Sequence, residues 1–235
     1  AIMGILNLTP DSFYDGGRYT QNKKALVKAE EMVSHGADLI DIGGESTRPG
    51  ATKVTTREEL RRIIPVIGKM RELFQIPLSV DTYKAQIAKE AIEAGADMVN
   101  DISGLRFDSE MKQVVAKYKV PLVLMHIKGT PRDMQNNPCY DSLLGEIIFY
   151  LRESMVIAKE AGIDEERIVI DPGIGFGKSA RHNLEIINKL SELKDLGRPI
   201  MIGVSRKSFI GNVLNLPLQE RLEGSLAATC LAVTQ

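Results

Sequence analysis

Tryptophan is absent from this chain, aromatic residues make up only 5%, and the 235 residues include two cysteines and three histidines. Each scarcity excludes something. Cys139 and Cys230 cannot build a disulfide framework, which favours a reducing compartment. The few cysteines and histidines show no zinc-ligand spacing. No apolar run approaches the roughly 20 residues that cross a bilayer. Neither sign of charge is in excess: the formal net charge is −1 and the pI about 6.4. Basic residues are scattered rather than striped, so a nucleic-acid footprint is missing. The start has neither the charged region nor the cleavage site of a secretory signal, and a cytoplasmic protein is expected. Ala1 leads directly into a strand without an initiator methionine, as a trimmed start would.

Three catalytic signatures are also missing. Gly177-Lys178-Ser179 matches the end of a phosphate-binding P-loop, but the first glycine of that motif would fall at Pro172. The glycines at 173, 175 and 177 are spaced G-x-G-x-G, not the G-x-G-x-x-G of dinucleotide sites. No G-x-S-x-G nucleophile elbow occurs.

What remains is ordinary globular composition, 43% hydrophobic and 26% charged, with enough chain for a sizeable core. The stretch from Ile168 to Ser179 is the most informative. Ile168-Val169-Ile170 reads as a buried parallel strand, Asp171 stands at its C-terminal tip, and Pro172 lacks the N–H to continue the ladder. The same pattern recurs. Strands are expected at Ile2–Leu6, Leu39–Ile42, Leu78–Asp81, Met98–Asp101, Leu122–His126, Ile168–Asp171 and Pro199–Val204.

Helices follow them, read from apolar residues at helical spacing. Gly36, Gly95 and Gly162 stand at helix ends, and Pro65 is expected to kink or divide the second helix. The last helix, from about Leu218 to Val233, is apolar or small almost throughout from Leu226, so burial on more than one face is expected.

Alternating strands and helices mean a parallel sheet with right-handed crossovers. Polar residues end strands across the whole chain: Asn7, Asp41, Asp81, Asn100, His126, Asp171 and Lys207. A closed ring brings such tips to one mouth, whereas an open sheet concentrates them at one switch point. The expected fold is therefore an α/β (β/α)8 TIM barrel forming one domain over residues 1–235. Its eighth βα unit is missing from the sequence, and a continuation past Gln235 is expected. Carboxylates and an Asn converging on a mouth suit a flat heterocycle bearing amide or guanidine groups. Lys207 adds a cation. Asp41 reads either as a helix cap or as an interior hydrogen-bonding group, and His126 alone as structural.

Four segments carry a family resemblance: Met3 to Phe13, Gly43 to Gly50, Asp171 to Lys178, and Ser205 to Ser208. They resemble dihydropteroate synthase, and the resemblance spans essentially the whole chain. It implies a barrel that joins 6-hydroxymethyl-7,8-dihydropterin pyrophosphate to p-aminobenzoate and releases pyrophosphate. It also implies residue roles. Asp171 and Asn100 would hold the amino-pyrimidine edge of the pterin, and Asp81 would face its other ring. Lys207 would reach the pterin carbonyl and a ring nitrogen, with Phe176 and Met125 lining the pocket. Asn7 would bind Mg2+ through its side-chain oxygen. Thr47, Arg48 and Pro49 would close over the reacting centre with Phe13 and Asp15, and Ser208 would touch p-aminobenzoate. Asp81, Lys207 and Arg48 would carry catalysis, and a homodimer is implied. The family's closing Arg-x-His segment, which holds pyrophosphate, has no counterpart in these residues. Two other readings share the pocket: a methyltetrahydrofolate-dependent corrinoid methyltransferase and a pterin-binding paralogue without catalysis.

Overall fold

The computed structural model describes residues 1–9 and 18–235, and for residues 18–21 the backbone only. Phe13 and Asp15 lie outside the described residues. Six parallel strands form one sheet in sequence order: β1 (Met3–Asn7), β2 (Leu39–Gly43), β3 (Leu78–Asp81), β4 (Met98–Asp101), β5 (Leu122–Met125) and β6 (Ile168–Asp171). The helices are α1 (Arg18–Ser34), α2 (Thr56–Leu73), α3 (Ala85–Glu93), α4 (Met111–Tyr118), α5 (Leu143–Glu160), α6 (Ala180–Asn188), α7 (Ser208–Leu214) and α8 (Leu222–Thr234).

The strands are short and apolar because each buries one face fully. Leu6, Ile40, Ile42, Leu78, Val80, Val99, Leu122, Leu124, Ile168 and Ile170 all point to the helix side and are buried. There they meet Ile63, Ile67 and Met70 of α2, Ile87 of α3, Met111 of α4 and Ile147 of α5. Burying one such side chain contributes about 1.5–3 kcal/mol, so this layer is the main source of stability. Because side chains alternate along a strand, the opposite face is left for polar groups. That face carries Asp41, Ser79, Asp81 and Asn100.

The structure departs from the sequence expectations at four places. The seventh strand reduces to a single bridge, Ile170 to Ile200. Ile170 N donates to Pro199 O at 2.9 Å and Met201 N to Ile170 O at 2.8 Å. The next ladder bond would need an N–H from residue 172, which is Pro172, so pairing stops there. Second, α2 runs through Pro65 without a break. Pro65 is on the exposed face, where solvent can satisfy the carbonyl that loses its partner.

Third, a short helix that was not expected precedes the last one. Ser208–Leu214 forms α7, Asn215 closes it in the left-handed conformation at φ +54, and α8 begins only at Leu222. Fourth, α8 buries a single stripe of Ser225, Ala228 and Ala232, not more than one face. Leu226 (58%), Leu231 (59%) and Val233 (80%) remain exposed on the single chain. Among the described residues no helix is long and apolar enough to cross a membrane.

Candidate active site

Strand register builds the mouth. Asn7 pairs with Gly43, Gly43 with Asp81, and Asp81 with Asn100, so these four positions lie at one level across β1 to β4. In a parallel sheet such a row points to one side. Gly43 leaves a gap in it: a Cβ there would stand 3.2 Å from Asn7 Oδ1 and 3.4 Å from Asp81 Oδ2. One pleat deeper, Asp41 is in register with Ser79. Asn100 Nδ2 reaches down and across to donate to Asp41 Oδ2 at 2.9 Å.

Two oxygens of the mouth row, Asp81 Oδ1 and Asn100 Oδ1, are buried with no partner, while Asp41 and Ser79 one level down lie side by side and can satisfy each other. A buried unpaired acceptor costs about 1–3 kcal/mol, so two side by side mark a surface built for donors from outside the protein. Burial also raises the proton affinity of these carboxylates. Asp81 is pushed well above the usual carboxylate range by burial, and then by the charges of Asp41, Glu59, Asp101 and Glu45. Asp41 is raised by burial and drawn partway back by hydrogen bonds from Ser79 and Asn100.

The other wall comes from β5, β6 and the glycine loop. Asp171 is buried, and its Oδ1 accepts from Gly173 N at 2.6 Å. Burial raises its proton affinity, while Lys207, the Gly173 N–H and Lys178 oppose that rise. Lys207 donates to the carbonyl of Ile174 and lies 4.9 Å from the centre of the Phe176 ring. Burial lowers its ammonium to about 8, with Asp171 and Asp81 pulling upward. Met125, paired with Asp171 across the strands, packs with Ile102, Ile127 and Met134, and Phe176 and Tyr83 flank this apolar patch. A flat ligand thus finds acceptors on one rim, a cation on another, and apolar contacts between.

The glycines of this loop are dictated by contact as well as by dihedral angle. Gly173, Gly175 and Gly177 have φ of +70, +84 and +65. A Cβ on Gly173 would come within 1.9 Å of the His126 carbonyl, and one on Gly177 within 2.5 Å of the Lys128 carbonyl. Lys178, the residue that mimicked a P-loop, points inward and is buried. Its Nζ lies 2.8 Å from His126 Nδ1 and donates to Phe176 O at 2.9 Å. His126 is driven down to about 2 by burial and the Lys178 charge, so it stays neutral beside that amine. This pair holds the glycine loop to the end of β5.

The second polar loop, residues 44–55, has fixed stems and an exposed crest. Glu45 Oε1 accepts from Val54 N at 3.0 Å, closing the loop's base. Lys84 Nζ lies 2.7 Å from Glu45 Oε2, 2.6 Å from Glu59 Oε2 and 2.8 Å from Val54 O. The crest carries Thr47, Arg48 and Pro49, and Arg48 and Pro49 are exposed. The structure therefore gathers Asn7, Asp81, Asn100, Met125, Asp171, Phe176 and Lys207 at the mouth. Ser208 follows directly as the exposed first residue of α7, and the Thr47–Pro49 crest stands on the loop after β2. Three pairs were not singled out in sequence: Asp41 with Asn100, Lys178 with His126, and Lys84 with Glu45. For Asp41 the available signal was a charged residue inside an otherwise apolar strand, and Lys178 and Lys84, in loops, carried none. Asp101 shows the limit of that signal. It points outward and staples the next turn, accepting from Ser103 N and Leu105 N, each at 2.8 Å.

A profile of pterin binding enzymes matches residues 3–235. The chain belongs to the pterin-binding enzyme family. Within this family it is 50% identical over 232 residues to the dihydropteroate synthase of Clostridium beijerinckii, covering 99% of this chain and 84% of the relative. The crystal structure of dihydropteroate synthase from Clostridium difficile with pteroic acid superposes with a TM-score of 0.94 at 47% identity, covering 99% of this chain and 86% of that one. The Xanthomonas albilineans dihydropteroate synthase structure with 4-aminobenzoic acid gives a TM-score of 0.93 at 45% identity, covering 99% and 83%. The pterin-binding family has the TIM-barrel fold, and the parallel sheet with outer helices is this chain's part of it. These relatives carry the name dihydropteroate synthase, which favours that reading over the corrinoid methyltransferase.

Proposed function

We infer that this chain is a transferase of folate biosynthesis. It condenses 6-hydroxymethyl-7,8-dihydropterin pyrophosphate with p-aminobenzoate, giving 7,8-dihydropteroate and pyrophosphate. The observation that carries this reading is the acceptor-lined pocket. Unpaired oxygens of Asn100 and Asp81, with Asp171 beside them, face Lys207 across the Phe176 and Met125 surface. The amino-pyrimidine edge of a pterin supplies donors to Asp171 and Asn100. Lys207 donates to its carbonyl side.

The chemistry asks little of the protein in covalent terms. The bond from the exocyclic carbon to the pyrophosphate oxygen breaks, and positive charge spreads over the pterin. Asp81, whose proton affinity is raised by burial, is drawn to its ionised form by the cation and offsets that charge from within a site of low polarity. The arylamine nitrogen then bonds to the carbon and gives up a proton. No side-chain nucleophile is required. The crest with Thr47, Arg48 and Pro49 closes over the centre and excludes water that would capture the cation. Ser208 contacts p-aminobenzoate at the outer end.

The donor set at the mouth is compatible with Mg2+. Asn7 offers a side-chain oxygen beside the gap at Gly43, and Mg2+ commonly keeps waters and substrate phosphates as its other ligands. Asn7 would hold the ion, which when bound would neutralise the departing pyrophosphate. The exposed apolar side chains of α8 support a homodimer, and the free, exposed Cys139 and Cys230 are in keeping with a cytoplasmic location.

A coupled assay of pyrophosphate release tests the activity. Release is expected only with both substrates present. Release at the same rate without p-aminobenzoate, or none with both, overturns the reading.

A further inference from the structure

Asn100 has a choice that its neighbours make for it. An amide can present either an oxygen acceptor or an NH2 donor to a ligand. Here Nδ2 is committed to Asp41 Oδ2 at 2.9 Å, and Oδ1 is the atom left buried and unpaired at the mouth. Reversing the amide would set its oxygen against a carboxylate oxygen at hydrogen-bond distance, which is repulsive. Asp41 does not itself stand at the mouth row. It lies two residues before Gly43 on β2, one pleat deeper, and is 2% exposed. Ser79, in register beside it on β3, is small and fully buried, and Ile5 on β1 and Met98 on β4 flank the two at the same level.

We propose that Asp41 is a positioning residue that locks Asn100 as an acceptor and thereby makes the pocket select heterocycles bearing an amino group over their oxo counterparts. The proposal rests on the pterin reading of the pocket and adds the source of its selectivity. With Asn100 locked, a ligand amino group meets an oxygen and bonds. A ligand carbonyl at the same place meets that oxygen and is rejected, because two acceptors face each other without water.

The test is the ratio of affinities for 6-hydroxymethylpterin and for its 2-oxo analogue, measured by calorimetric titration. Asp41→Asn is isosteric and leaves the pair able to hydrogen-bond in either sense, so Asn100 can turn to suit a carbonyl. In the wild-type protein the amino ligand should bind far more tightly. In Asp41→Asn the ratio should fall by about tenfold or more, mostly through improved binding of the oxo analogue. A purely structural defect would weaken both ligands alike and leave the ratio unchanged. In an Asn100→Ala background, adding Asp41→Asn should leave the ratio where Asn100→Ala put it.

A ratio that survives Asp41→Asn overturns the role of Asp41, as does a change that persists without Asn100. A wild-type protein that binds both ligands equally overturns the pocket reading itself, and the inference with it.

Discussion

The Lys84 ammonium lies 2.7 Å from the Glu45 carboxylate, tying the base of the loop after β2 to the start of α3. Their side chains are only 12% and 10% exposed, and the same ammonium also holds Glu59, at 1%. Glu59 is raised in proton affinity by burial, and Lys84 opposes that rise. Lys84→Met leaves two carboxylates with no cation in a dry place. A loss of about 3–5 kcal/mol is expected, read from urea denaturation. Turnover should fall with it, because the crest bearing Arg48 loses its base. An unchanged denaturation midpoint would show that the clamp contributes nothing.

Asp171 is the acceptor proposed for the pterin edge. Asp171→Asn replaces one acceptor by a donor facing donors. A hydrogen bond to a charged group is worth about 1.5–3 kcal/mol, so affinity for a pterin should drop about tenfold or more. Calorimetric titration with unchanged affinity would refute the assignment.

Arg48 stands on the exposed crest of the loop after β2. Arg48→Ala should lower turnover far more than pterin affinity, because the role proposed for it is toward the second substrate and the reacting centre. A variant that loses pterin binding but keeps turnover at saturation would place Arg48 elsewhere.

Lys207 sets a pH dependence. Its ammonium is lowered from 10.5 to about 8. Pterin affinity should therefore weaken as pH rises through about 8 and the cation is lost. Lys207→Met should bind weakly with no such alkaline limb, and a limb that persists in this variant would assign it to another group. The stability of the unliganded protein moves the other way. Between about 8 and 10.5 the unfolded chain binds the extra proton, so this group's contribution to folding rises with pH.

The exposed face of α8 gives the last expectation. Leu222 (46%), Leu226 (58%) and Leu231 (59%) leave apolar surface that a homodimer would cover. Light scattering at micromolar concentration should give twice the 25.9 kDa of the chain. A mass near 25.9 kDa would exclude the dimer.

Much of this protein is readable without coordinates. Apolar runs ending in a polar residue located β1 to β6 within a residue or two, since a buried parallel strand must be apolar and must stop where its ladder stops. The mouth residues Asn7, Asp81, Asn100 and Asp171 were legible as strand ends for the same reason, whereas Lys207 stands at the start of α7 and not on a strand tip. The motifs around Asn7, Arg48, Asp171 and Lys207 named the family.

Tertiary structure decided what depends on partners distant in sequence. Asp41 and Asp101 are both buried strand carboxylates, yet one turns inward to Asn100 and the other outward to Ser103 and Leu105. Only the register across β2, β3 and β4 separates them. The inward turn of Lys178 to His126 is likewise a matter of packing, because a glycine loop followed by lysine reads the same for a phosphate site. Continuity through Pro65 depended on which face of α2 meets solvent, and the lone bridge at Ile200 on the missing N–H of Pro172 across the ladder. Composition and spacing determine which segments fold and which atoms can bond. Which of those atoms meet is set when the strands align.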